Sequence, residues 1–156
     1  MSQFLHQRGI TAIELLLVVA ILAIIFAMAI SPFSSFRDIQ ILNSTSLQIV
    51  SLLNDARMAS TASKESSRYG VHFESGRAVY FKGGTFSEPS PYNKEIKLDN
   101  SIHISPITLA GGGSDVVFEQ LTGETQNYGN VILQSKASAT KQKTITISQI
   151  GISSQN

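Results

Sequence analysis

From Ile10 to Ile30 the sequence runs for 21 residues with Thr11 and Glu14 as its only polar members, and Leu15 to Ile30 is apolar without a break. A helix of that length, rising about 1.5 Å per residue, covers roughly 30 Å, the thickness of a bilayer's hydrocarbon core. Residues 10–30 can therefore span a membrane. Arg8 stands just before the run and the next basic residue is Arg37, which puts the short N-terminus on the cytoplasmic side. Ala27-Met28-Ala29 supplies a small-x-small triplet, but the apolar stretch exceeds the roughly 7–15 residues of a cleaved secretory signal. Neither a cleaved signal nor a plain anchor gives Glu14 a purpose, although an ionised acid at mid-membrane costs about 2.5–3.5 kcal/mol. Thr11-Ala12-Ile13-Glu14 fits a capping box, in which the acid answers a free amide at a helix start and suits the positive end of the helix dipole. That reading leaves Arg8-Gly9, immediately in front, without a role.

Outside the run, about 120 of the 156 residues remain, enough to bury a core without disulfide or metal staples. Cysteine is absent, which excludes thiol catalysis, thiolate metal sites and disulfides. Twelve Lys+Arg against 11 Asp+Glu give a net charge of +1, so any nucleic-acid partner would have to be held by a local patch. Pro32 predicts a kink in a helix that continues, because Phe36, Ile39, Leu42, Ile49, Val50, Leu53 and Ala56 recur at threes and fours. One long helix, apolar all round at first and amphipathic later, is expected to reach Ala62 or Ser63, with its second half against a sheet. The period then changes to two. Tyr69, Val71 and Phe73 alternate with Gly70, His72 and Glu74, Ser75-Gly76 makes a turn, and Ala78 to Lys82 begins a second strand. Further short strands are expected at Ile96 to Leu98, Ile102 to Ile104, Val116 to Phe118, Val131 to Leu133 and Thr144 to Ser148, with Gly111-Gly112-Gly113 as a flexible connection. A long helix followed by short antiparallel strands is an α+β order.

Arg8-Gly9-Ile10-Thr11-Ala12-Ile13-Glu14-Leu15-Leu16, followed by the apolar run, resembles the type III signal of type IV pilins and type II secretion pseudopilins. The resemblance implies a leader of residues 1–9 removed by a prepilin peptidase between Gly9 and Ile10, with N-methylation of Ile10. Glu14 then becomes the fifth mature residue, an assembly device that sets register. Cleavage creates an amine at Ile10, and a carboxylate on a neighbouring helix attracts it far more strongly in apolar packing than in water. Neither charge is comfortable alone in lipid, so the staggered register that pairs them is favoured. Two positions depart from the commonest pattern: Ile10 stands where phenylalanine or methionine is usual, and Ala12 where leucine is common. The later segments "LLNDARMASTASKES", "RYGVHF", "VVFEQLTGE" and "TITISQIGIS" resemble the GspH/FimT group within these pilin-like proteins. The implied organisation is a leader at 1–9, an N-terminal helix at 10–63 with its transmembrane segment at 10–30, and a periplasmic β-rich domain at 64–156.

No pattern of residues supports catalysis. His6, His72 and His103 are far apart, and no clustered ligands suggest a metal. Glu74 with His72, or Glu119 with Glu124, could be imagined as acid and base, but no nucleophile elbow or phosphate loop accompanies them. No cofactor is implied. Lys136, Lys141 and Lys143 place three positive charges in eight residues without an acid, a weak DNA contact if the chain takes up DNA, but a solvated hairpin tip is the favoured reading and nucleic acid is not an expected partner. The expected function is a minor pseudopilin of a type II secretion pseudopilus. Its implied partners are the prepilin peptidase, other pseudopilins or pilins in a filament, an inner-membrane assembly platform and membrane lipid. The alternatives are a minor type IV pilin in pilus biogenesis or DNA uptake, and a membrane-anchored binding domain that does not polymerise.

Overall fold

The computed structural model describes residues 10–156, except for the side chains of residues 28–35. The expected leader with His6, Arg8 and Gly9, and the kink at Pro32, lie outside the described residues. The chain divides into two compact units between Arg37 and Asp38. A single helix, α1 (Ala12–Thr61), contributes to both.

In the first unit, the Thr11 hydroxyl accepts the Glu14 amide at 3.3 Å and the Thr11 carbonyl accepts the Leu15 amide at 3.2 Å. Thr11 is thus the N-cap that the sequence predicted, satisfying amides that the first turn would leave free. From Ile10 to Ala27 every side chain is exposed, with Ile13 at 76% and Phe26 at 65%. Among the described residues no helix is long and apolar enough to cross a membrane.

The second unit holds the core. Leu42, Ile49, Leu52, Leu53 and Ala56 of α1 are buried, together with Thr45, Ser46 and Ser60. These positions recur at threes and fours and form one continuous stripe. Phe36 and Ile39, expected in that stripe, are exposed at 61% and 45%. Small hydroxyl residues take inward positions because strand groups meet them. The Ser60 hydroxyl accepts the Tyr69 amide at 2.8 Å and donates to the Tyr69 carbonyl at 3.3 Å, while Ser46 donates to the Gln155 side chain.

Among the described residues eight strands form two four-stranded antiparallel sheets. The first has the order β3 (Lys94–Lys97), β2 (Arg77–Lys82), β1 (Tyr69–Glu74), β5 (Asp115–Phe118). The second has the order β4 (Ile102–Leu109), β6 (Gly129–Ser135), β7 (Gln142–Ile147), β8 (Ser153–Gln155). Ser75-Gly76 closes the expected hairpin, with Glu74 opposite Arg77. Tyr69, Val71, Phe73, Tyr80, Val116 and Phe118 join the helix stripe in the core, as do Ile102, Ile104, Val131, Leu133, Ile145 and Ile147 from the second sheet. The first sheet is also covered on its other face: Phe81 is buried and meets Phe86 edge-on at 5.7 Å. Phe81 lies opposite Gly70, where an added Cβ would come within 2.8 Å of its ring and 2.6 Å of the Val116 carbonyl. Only glycine lets the ring lie that close.

Strand β4 runs five residues past the expected Ile104. Its pairing with β6 shifts register between Ile104 and Ile107, around Pro106, and β4 is an edge strand, where a residue without an amide hydrogen is tolerated. Strand β8, Ser-Ser-Gln, was not expected, since it carries no apolar pattern. A 3₁₀ turn (Lys64–Ser66) links α1 to β1.

Candidate functional site

The residues expected to direct assembly sit at the start of α1. Ile10 is 75% exposed and Glu14 lies in the first helical turn, its amide held by Thr11. The capping contact uses the backbone amide of Glu14, and the side chain is exposed. Around it the helix shows apolar residues on every side. Such a surface is out of place in water. It suits lipid or the packed interior of a helical bundle.

The three lysines of the β6–β7 hairpin have different surroundings. Lys136 is exposed at the end of β6. Lys141 Nζ lies 3.7 Å from an oxygen of Asp38, which also accepts the Ser135 hydroxyl at 3.0 Å. Lys143 shares the inward register of Ile145 and Ile147 on β7 and is half-buried. Lys141 and Lys143 line a groove of about 240 Å³ with Ile39, Leu42 and Asn43 of α1. The base of the β6–β7 hairpin thus borders the helix, while Lys136, Ala137, Ala139 and Thr140 toward its tip are exposed.

His72 is brought to Glu74, as the sequence suggested, with Nε2 3.5 Å from Oε1. Asp115, which the sequence gave no reason to include, lies 2.5 Å from Nδ1. Phe86 stacks on the imidazole at 4.0 Å between ring centroids. Glu74 is committed elsewhere as well: it accepts two hydrogen bonds from Arg77, which hold its carboxyl below the usual range. Arg77 also donates to both oxygens of Glu88 and contacts Glu95. The result is a clasp that fixes the segment carrying Phe86 and Glu88 to the β1–β2 hairpin. Glu119 pairs with Arg68 at 3.1 Å and its amide donates to the Glu124 carbonyl. Among the described residues no group of three or more His, Asp or Glu side chains could hold a metal ion. Gly111, Gly112 and Gly113 all have positive φ and lead into β5, a linker as expected.

The four later segments of the sequence meet at the end of α1. Arg57 Nε donates to the Gly123 carbonyl at 3.3 Å, and the Leu121 amide donates to the Ser60 carbonyl at 3.1 Å. A Cβ on Gly151, at φ +80°, would sit 2.0 Å from the Gly123 carbonyl oxygen and 2.7 Å from Arg57 Nε. One on Gly123 would sit 2.6 Å from the Thr61 hydroxyl. Helix end, β5–β6 connection and β7–β8 turn therefore lock together around Arg57 at backbone contact distance. The glycines were legible in the sequence as motif positions, but their common contact was not.

No protein-family model and no curated protein sequence matches the chain. Two solved structures resemble it. The type IV minor pilin FimU of Pseudomonas aeruginosa (strain PAO1) aligns at a TM-score of 0.57 and 11% identity, over 74% of this chain and 92% of that one. The minor pseudopilin EpsH from the type II secretion system of Vibrio cholerae aligns at 0.53 and 12% identity, over 74% of this chain and 93% of that one. The α+β arrangement described above, a long helix and antiparallel sheets, is the fold of a minor pilin and a minor pseudopilin.

Proposed function

We propose that this chain is a minor pseudopilin, a structural subunit of a type II secretion pseudopilus. It is made as a prepilin, cleaved between Gly9 and Ile10 by a prepilin peptidase and methylated at Ile10. The observation that carries the reading is the helix start: an apolar surface uncovered on every side from Ile10 to Ala27, with Glu14 in its first turn. Residues 10–30 anchor the subunit in the inner membrane before assembly, and the β-rich domain lies in the periplasm. In the filament the apolar helices pack together, and Glu14 pairs with the amine of a neighbouring Ile10. The partners are other pilin-like subunits, the peptidase and an inner-membrane assembly platform. The role is mechanical, without catalysis.

The mass and first residue of the membrane-extracted protein test this, with and without a prepilin peptidase. A start at Ile10 that depends on the peptidase is expected. Uncut Met1, or a start after Ala29, would end the reading. Glu14→Ala is expected to leave the protein in the membrane and exclude it from filaments, whereas an anchored domain that never polymerises would be indifferent.

A second reading, a minor type IV pilin, draws on the likeness to FimU. DNA uptake would be its distinctive activity. Salt-dependent DNA binding weakened by substituting Lys136, Lys141 and Lys143 would favour it, and absence of binding at low salt would remove that activity.

A further inference from the structure

The lock around Arg57 leaves a surface that the fold itself does not use. Arg57 is half-buried, its Nε donates to the Gly123 carbonyl, and its side chain lines a recess. Among the described residues no carboxylate lies within ion-pair distance of it. The nearby Glu119 is already taken by Arg68. Four large apolar residues near it in the fold are exposed: Met58, next to it on α1, at 62%, Leu121, whose amide binds the Ser60 carbonyl, at 72%, Ile150 at 55% and Ile152 at 53%. Ile150 and Ile152 stand on either side of Gly151, which touches Arg57. A recess of about 350 Å³ lined by Arg57, Met58, Thr61 and Ala62 opens beside them.

Leu121 makes the case sharper. Its φ is +66°, a left-handed conformation that branched residues avoid and that glycine or asparagine would adopt more readily. Folding alone gives no reason to keep leucine there, because the side chain points into water. An apolar crest held in a disfavoured backbone conformation, beside an unpaired arginine fixed by its own hydrogen bond, has the composition of an interface centre.

We infer that Arg57, Met58, Leu121, Ile150 and Ile152 form the contact surface for a different protein subunit, which presents a carboxylate set among apolar side chains. Charge complementarity selects the carboxylate: the planar guanidinium offers a fork of donors that matches two oxygens, and apolar surroundings strengthen the pairing once water is excluded. The apolar residues exclude that water. This inference rests on the subunit reading above and specifies which surface of the β-rich domain meets its neighbour.

The test is photo-cross-linking in cells with the full chain, carrying a benzophenone amino acid at Leu121 or Ile150, and at Thr146 as an exposed control. An adduct is expected from the first two positions and not from Thr146, to a protein other than this chain, with an Asp or Glu among apolar residues in the cross-linked peptide. With the probe at Ile150, Arg57→Gln and Leu121→Asn should each lower adduct yield at least tenfold. Asparagine suits the backbone at position 121, so Leu121→Asn removes the apolar side chain while keeping the fold. The inference is overturned by an adduct that survives both substitutions, by a partner peptide without a carboxylate, by an adduct only to a second copy of this chain, or by no adduct. The N-terminal residue is read from the same samples. Loss of processing at Gly9–Ile10 would remove the subunit reading and leave the contact standing, whereas processed protein lacking an Arg57-dependent adduct would remove only the contact.

Discussion

Gly151 has no room for a side chain: its φ of +80° suits glycine, and an added methyl would overlap a carbonyl oxygen. Gly151→Ala is expected to destabilise the chain by about 1–3 kcal/mol, combining the conformational cost with overpacking against backbone that cannot move aside. Thermal unfolding of detergent-extracted protein checks it, with Gly76→Ala as the comparison, since nothing lies within 4 Å of a Cβ there. An equal effect at both glycines would mean that the lock around Arg57 is looser than its distances imply. Ser60 is the other small residue on which the fold depends. Ser60→Ala leaves the Tyr69 amide buried without its acceptor, and a loss of about 1–3 kcal/mol is expected in the same assay. Ser60 looks unremarkable in the sequence, and Gly151 is legible there only as the end of a motif. A serine in a helix and a glycine after a strand acquire meaning only from what packs on them.

At the scale of elements, the clasp on the β1–β2 hairpin gives the domain an acid-sensitive component. Glu74 is held below its ordinary range chiefly by hydrogen bonds from Arg77, and Glu95 by Lys97 and then Arg77. A carboxyl whose folded-state pKa is depressed contributes stability above its unfolded pKa, near 4.3, and that stability is lost as pH falls through the folded value. Melting temperature should therefore decline below about pH 4. Arg77→Gln should lower the plateau at neutral pH and flatten the decline, because Glu74 and Glu95 then titrate closer to their unfolded values. An unchanged pH profile in the variant would show that the clasp is too solvent-screened to matter. The hairpin itself was legible from alternation and Ser75-Gly76. The clasp was not, since Glu88 and Glu95 reach Arg77 from outside the hairpin.

Among the described residues of the whole molecule, every buried apolar residue lies between Leu42 and Ile147, within the second unit. A fragment beginning at Asp38 should therefore be soluble and unfold cooperatively. The full chain should require detergent, because Ile10 to Ala27 expose apolar side chains throughout. Circular dichroism and size-exclusion chromatography check both, and a fragment without a cooperative transition would show that the core needs the first unit. The sequence by itself determined the long helix, its change from all-round to one-sided apolarity, and the sites of most strands. Those features follow from local period and length, which neighbouring residues fix among themselves. Tertiary structure alone decided which flank of the helix is buried, leaving Phe36 and Ile39 exposed while Ser46 and Ser60 turn inward. It recruited Ser153–Gln155 as an edge strand on β7, carried β4 past Pro106, tied Lys141 to Asp38, and gathered Arg57, Gly123 and Gly151. Each of those outcomes depends on a partner surface supplied by residues distant in the chain, and no local pattern encodes the shape of a partner.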